Sequence, residues 1–405
     1  MKHMDLHPEP PGGQHPSTAR QADDFEEAYG VTLEQAIDLD TWSTGENLPQ
    51  LYAELEEQVR RAVSEEAGRR QHIRNVLFPK VAAGHWSVPA SGLHCFDVPT
   101  LERAHRGLLF NGSVEACDGT SVTHDTLPVT ITQIGVYLVS YNGEQGSYVQ
   151  RLYRKDFQSR GADPEKEVLE LLERRERRGS QGLDDPRDEM SELARRGLMA
   201  YAERALLLEK SVAPWRLGHG NPTPYELMTG HWAHHPHMID AALGLMRDLV
   251  LNHKRFVFVP SAPRQRALLT LGYALKPLEY LIIRSTEVDL LRRLESGGYR
   301  GENRTKVEAF AREVGAEVVM GLYRVSETAP PYMFYAHRDH AQTAALIAMA
   351  DSALQMHRGF PMLIDLADKM CQTTFGADDF VTTVHQAYAH AGQPYQYLGE
   401  RETRR

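Results

Sequence analysis

The residues best suited to chemistry begin at Asp118. It stands in Glu115-Ala116-Cys117-Asp118-Gly119-Thr120, after a short, partly alternating run that reads as a strand. A carboxylate at a strand end beside a tight turn presents both oxygens to a cation from a rigid backbone. Hard ions such as Mg²⁺ and Mn²⁺ take oxygen ligands, and in nucleases they clamp the attacking and leaving oxygens of a phosphodiester. Asp-Gly is also a common turn dipeptide, and alone it does not separate the two uses. A second group, His231-Trp232-Ala233-His234-His235-Pro236-His237, holds four histidines in seven residues. Zinc sites usually draw ligand pairs from two elements, often with Cys. Pro236 breaks any helix that would align His231 with His235, so we read a polar loop. Cys117 beside Asp118 reads as a buried strand residue, and Cys371 has no neighbouring His to activate its thiol. No phosphate-binding loop of the G-x-x-x-x-G-K-[ST] type is present.

The elements that must position such groups follow from pattern. Residues 113–157 read as an antiparallel meander: the stretch 129–140 is rich in β-branched residues, Asn142-Gly143 signals a hairpin, and 148–157 continues as a strand. Asp163-Pro164-Glu165 starts a charged helix, and a second long helix spans 189–209. Beyond it, strands are expected at 255–259, 279–284, 317–325 and 333–336. Helices are expected at 238–251, 264–275, 287–294, 341–357, 361–373 and 378–390. Strands first, then helices alternating with strands, predict an α/β fold with a mixed sheet flanked by helices. Residues 1–24 are rich in Pro and Gly with no aromatic residue, and read as a disordered tail. Residues 25–110 read as an acidic, mainly helical N-terminal extension, which leaves 111–405 as the principal domain. Within the extension, 48–64 has helical period. Its Leu51, Leu55, Val59 and Val63 form a stripe suited to packing on a partner helix or on the domain behind.

Two of these motifs, in order and some 240 residues apart, carry a resemblance. The first is Glu115 to Thr120 followed by a long hairpin. The second is Gly359-Phe360-Pro361-Met362-Leu363-Ile364-Asp365-Leu366-Ala367-Asp368. Together they resemble the NurA family of nucleases, from about Val114 onward. The resemblance implies an RNase H-like core, Mn²⁺-dependent (or Mg²⁺-dependent) cleavage of DNA, a homodimer, and a HerA-type hexameric ATPase as partner. Asp118 matches the first metal-binding Asp of the family, Glu203 its helical Glu, and Asp368 its final ligand. These three are the implied catalytic and metal-binding residues. His219, in His219-Gly220, stands where the family carries a second Asp. Imidazole brings no negative charge and suits softer metals better. Glu226, seven residues on, is a possible compensating carboxylate, and Glu192 is the rival of Glu203 on the same helix. Phe360 replaces a Tyr and so lacks its hydroxyl.

The chain of 405 residues is 41 % apolar and 25 % charged, the balance of a soluble globular protein. It holds no apolar run long enough to span a membrane, and residues 1–20 lack the apolar core of a secretory leader. Its three cysteines give no disulfide framework, which points to a reducing, cytoplasmic setting. The net charge of −10 argues against a simple electrostatic binder of nucleic acid until it is divided by segment. Residues 1–66 hold fifteen acids against four bases, a balance of −11 that leaves the other 339 residues at +1. Residues 251–312 hold twelve bases and six acids. Arg264 and Arg266, just after the 255–259 strand, are the expected contacts to the DNA backbone. Two functions follow: a metal-dependent DNA nuclease of end processing in repair or phage defence, or a NurA-like structural subunit that has lost cutting.

Overall fold

The structure is a computed structural model that describes residues 25–84, 88–125, 129–154, 165, 166, 169, 192–228, 236–261, 266–296 and 301–393. The expected tail 1–24, most of the helix expected from 163, the side chains of His231 to His237, and Arg264 lie outside the described residues. The chain divides into two compact units, Met1–Arg69 and Arg70–Arg405.

In the first unit, helix α1 (Leu33–Ile37) starts on a capping box in which Thr32 and Gln35 satisfy each other's backbone N–H groups. Helix α2 (Leu48–His72) follows, and the division falls within it. Its Leu51, Leu55, Val59 and Val63 are all exposed.

The second unit is built on one mixed sheet of nine strands among the described residues. These are β1 (Gly92–Cys95), β2 (Val114–Asp125), β3 (Thr130–Ser140), β4 (Gly143–Arg154), β5 (Trp215–His219), β6 (Phe256–Val259), β7 (Glu279–Ser285), β8 (Val318–Arg324) and β9 (Tyr332–His337). Their order is β1-β7-β8-β9-β6-β5-β2-β3-β4. Strands β2, β5 and β6 run parallel, while β3 lies antiparallel to both β2 and β4. This is the mixed α/β sheet flanked by helices that the sequence predicts. The compact unit begins at Arg70, and β1 adds an edge strand from within the segment 25–110.

Helices cover both faces. They are α3 (Phe78–Ala83), α4 (Val98–Ala104), α5 (Glu192–Glu209), α6 (Tyr225–Met228), α7 (Pro236–Arg247), α8 (Arg266–Tyr273), α9 (Glu287–Ser296), α10 (Gly301–Glu313), α11 (Ala341–Ala353), α12 (Met362–Phe375) and α13 (Ala377–His390). Alternation along β2 assigns its two faces to two cores. Ala116 packs with Ile364, Ala367 and Cys371 of α12. Cys117 packs with Ala200 and Leu207 of α5.

One expectation is corrected. Asp118-Gly119-Thr120 is not a turn: β2 runs through it, with Asp118 opposite Tyr137 and Gly119 opposite Val136. Glycine here serves a close approach, as strand glycines often do. A Cβ on Gly119 would come within 2.8 Å of Glu203 Oε1 and of Met199 Cγ, both from α5.

Candidate active site

The parallel pairing of β2 and β5 sets the first contact. Cys117 lies beside Gly218 in register, so one step further Asp118 and His219 are neighbours. His219 Nδ1 lies 3.3 Å from Asp118 Oδ1, and the same oxygen accepts from the backbone N–H of Gly119 at 2.9 Å. Asp118 is buried, at 5 % exposure. Phe360 is also buried, and its ring meets that of His219 edge to face at 5.9 Å between centroids.

Glu203 reaches the strand from the other side. Asp118 follows Ala116 on the face covered by α12, whereas Gly119 follows Cys117 on the face covered by α5. The missing Cβ at Gly119 is the gap that admits the Glu203 carboxylate. Behind Glu203 sits Arg204, which is fully buried. Its guanidinium donates to Glu203 Oε2 at 3.1 Å, to Ala200 O at 2.8 Å, to Pro222 O at 3.3 Å and to Asn221 O. It also lies over the Phe258 ring, 5.2 Å from its centroid. Arg204 therefore ties α5 to the loop after β5. Burial pushes the Glu203 carboxyl up to about 7, with Asp118 adding to the rise and Arg204 and His219 opposing it.

Asp368 comes from α12, which begins after Pro361 and whose Leu363 N–H is capped by Asp351 Oδ2 at 2.8 Å. Its carboxylate accepts from Gln372 Nε2, one turn on, at 2.8 and 2.9 Å. Burial raises its pKa, and the charge of Asp118 raises it further. Burial pulls the His219 pKa down, but the hydrogen bond and charge of Asp118, with Glu203 and Asp368 adding, carry it above the ordinary histidine value. Arg358 pairs with Asp365, not with Asp368.

Asp118, Glu203, His219 and Asp368 thus lie within electrostatic reach of one another. Glu226 lies in α6 within electrostatic reach of the Arg204 guanidinium, and lines the same recess as Glu203. Glu192 opens α5, eleven residues and roughly 16 Å of helix before Glu203, too far to replace it. Arg266 opens α8, and its side chain lies outside the described residues. Sequence reasoning missed the parts played by Gly119, Arg204 and Asp351. Cys117 and Cys371 are buried, with their thiols pushed up by burial, so neither is poised as a nucleophile.

The donor set suits a hard divalent cation in chemistry: three carboxylates and one imidazole, with buried like charges that a cation would relieve. The fit is incomplete in geometry. Among the described residues, no three His, Cys, Asp or Glu side chains are gathered tightly enough to hold a metal ion. Asp118 and Glu203 approach from opposite faces of β2, and His219 occupies an oxygen of Asp118.

A mixed α/β sheet flanked by helices, with carboxylates of β2, α5 and α12 within electrostatic reach of His219, is the class these features define. No protein-family model matches the sequence, and no curated protein does. The chain is similar in structure to the NurA nuclease from Sulfolobus solfataricus, with 11 % identity, 86 % of this chain and 99 % of that one covered, and a TM-score of 0.45. It is similar to NurA bound to dAMP and manganese at 10 % identity, over 88 % and 98 % of the two chains, with a TM-score of 0.44. Endonuclease V from Ciona intestinalis, in complex with inosine-containing DNA, is similar at 15 % identity, over 78 % and 98 %, with a TM-score of 0.26. At such scores these likenesses do not assign a chemistry to the site.

Proposed function

We propose that the chain is a NurA-like, metal-dependent deoxyribonuclease that hydrolyses phosphodiesters at DNA ends. The observation that carries this reading is the contact of Asp118 with His219, with Glu203 and Asp368 within electrostatic reach of both, from β2, β5, α5 and α12. Asp118, Glu203 and Asp368, with His219, would hold Mn²⁺ or Mg²⁺, which when bound supplies Lewis-acid stabilisation to a phosphoryl oxygen. Asp118 Oδ1 lies against His219 Nδ1 and orients the ring, which would meet a cation only as neutral imidazole. Burial raises the Glu203 carboxyl toward neutrality, so it would bind a cation only on releasing its proton. Phe360 packs on His219 and limits its rotation.

The wider reading follows the motif resemblance. The chain works as a homodimer on DNA with a HerA-type hexameric ATPase, in the cytoplasm, in break repair or phage defence. Among the described residues no helix is long and apolar enough to cross a membrane. Residues 111–405 carry the nuclease domain in this reading, with Arg264 and Arg266 on the DNA backbone. The test is cleavage of linear DNA in Mn²⁺. Asp118→Ala is expected to abolish it, and unchanged activity would remove the site assignment.

A second reading has its own support. His219 replaces a carboxylate and already pairs with Asp118, and no three ligands are gathered for a metal among the described residues. Both favour a structural subunit that has lost cutting. Wild-type protein that cuts no DNA in Mn²⁺ or Mg²⁺, alone or with the ATPase, would establish that reading.

A further inference from the structure

His219 is held from two sides, and only one of them belongs to the carboxylate cluster. Asp118 meets its Nδ1, while Phe360 meets its ring edge to face. His219 keeps 34 % of its side chain exposed, so burial alone does not fix the ring. What holds Phe360 lies further back. The preceding Gly359 has a left-handed backbone, with φ of 66°, and a Cβ there would come within 2.7 Å of Ala329 Cβ. Pro361 follows and keeps Phe360 itself out of the helical region. The corner is therefore stiff within itself, and its placement depends on what grips it from outside. Gln355, in the turn that follows α11, supplies a grip. Its backbone carbonyl accepts from the N–H groups of Arg358 and Gly359 at 3.0 and 2.9 Å. Its Nε2 donates to Phe360 O at 2.9 Å and to Asp365 Oδ2 at 2.6 Å, which uses both amide hydrogens. The Tyr323 hydroxyl reaches Gly359 O only at 3.4 Å, longer than an ordinary O–H···O bond.

We infer that Gln355 is a positioning residue for His219, acting through the Phe360 carbonyl and ring. The inference rests on the nuclease reading and deepens it, because it adds a residue that fixes a candidate ligand from outside the cluster. A shift of the Phe360 backbone carries the ring with it, since a buried side chain sits in one rotamer well. His219 then loses the neighbour that limits its rotation. Asp365 separates this role from a merely structural one. It accepts from both Gln355 and Arg358, so its loss loosens the same corner, yet leaves the bond to Phe360 O in place.

The test follows the His219 ring by NMR at fixed pH, in protein carrying isotope-labelled histidine. Its signals are identified by their loss in His219→Gln. Phe360→Leu sets the position they take without the neighbouring ring. Gln355→Met removes both donors and is expected to move the His219 signals toward that position. Asp365→Ala is expected to leave them where wild type has them, although both variants should lower Tm. In Mn²⁺, Gln355→Met should cut linear DNA roughly tenfold more slowly, while Asp365→Ala stays within about threefold of wild type. Should Gln355→Met not fold, Gln355→Asn, whose amide is one carbon short of Phe360 O, replaces it with the same expectations. Unmoved His219 signals in a folded Gln355 variant, equal movement in Asp365→Ala, or movement with no loss of rate in an active protein overturns the inference. Moved signals in a protein whose wild type cuts no DNA support the grip and overturn the nuclease reading instead, so the two failures are distinguishable.

Discussion

Gly119→Ala is the substitution that asks most directly whether Glu203 acts with Asp118. A Cβ at this position meets Glu203 Oε1 and Met199 Cγ at 2.8 Å, where ordinary contact begins at 3.4 Å, so each must retreat by about 0.6 Å. The Glu203 carboxylate is the far end of a flexible chain and moves at little cost. Overpacking of this kind destabilises by roughly 1–3 kcal/mol. Reduced freedom of the unfolded chain returns about 0.4–1 kcal/mol of that. The net loss is near ~1 kcal/mol, a shift of about 2–4 °C or less in Tm for a unit of this size. Activity should suffer more, because a misplacement of about 1 Å in a catalytic group can cost on the order of 100-fold. We therefore expect a fall of roughly 10- to 100-fold in the rate of Mn²⁺-dependent DNA cleavage, measured well below the melting transition. Adding Met199→Ala removes the second contact, and should restore stability but not rate. A Gly119→Ala protein that cuts at the wild-type rate would refute the reasoning, since Glu203 would then be free to move without consequence.

Other outcomes follow from the same contacts. Asp118→Ala should lower the His219 pKa, because Asp118 is what raises it; an NMR titration of the His219 ring that stays in place would contradict the pairing. Arg204→Met leaves Glu203 and three backbone carbonyls without their buried donor, and should cost about 3–5 kcal/mol in denaturant unfolding. Asp351 is fully buried, and burial raises its carboxyl from 3.8 to about 6. A raised folded pKa contributes stability that is complete below pH 3.8 and is lost as pH climbs through about 6. The full span is about 3 kcal/mol as an upper bound. Asp351→Asn still accepts from Leu363 N–H and removes the charge, so its Tm relative to wild type should rise between pH 5 and pH 8. A difference that is flat with pH would show that Asp351 does not titrate in this range.

Most of the fold could be read in the sequence wherever a single segment carries its own pattern. The β-branched run in β3, the short buried strand β6 and the apolar helices α11 and α12 all fall within a few residues of expectation. What escaped depends on contacts between segments. Gly-Leu-His-Cys of β1 has no β-branched residue, and becomes a strand by pairing with β7 at the sheet edge. Asp118-Gly119 has the local chemistry of a turn, but cross-strand bonding to β3 overrides it, and only the α5 side chains packed over Gly119 reveal the glycine's use.

The site divides in the same way. Residue types and order made Asp118, Glu203, His219 and Asp368 candidates, because each stands at a recognisable place on its own element. The supporting shell was not found, although it left a signal. Asp351 is the one charged residue in the apolar helix Ala341–Ala353, and a lone carboxylate in such a run must have buried partners. Those partners are the Tyr141 hydroxyl at the end of β3 and the Leu363 N–H at the start of α12. Arg204, next to Glu203 on α5, carries the same message in opposite charge. Each joins an element that bears a candidate ligand to a neighbouring element. A charged residue out of keeping with the helix around it is thus a pointer to the groups that hold a site in place, even when it is not itself part of the chemistry.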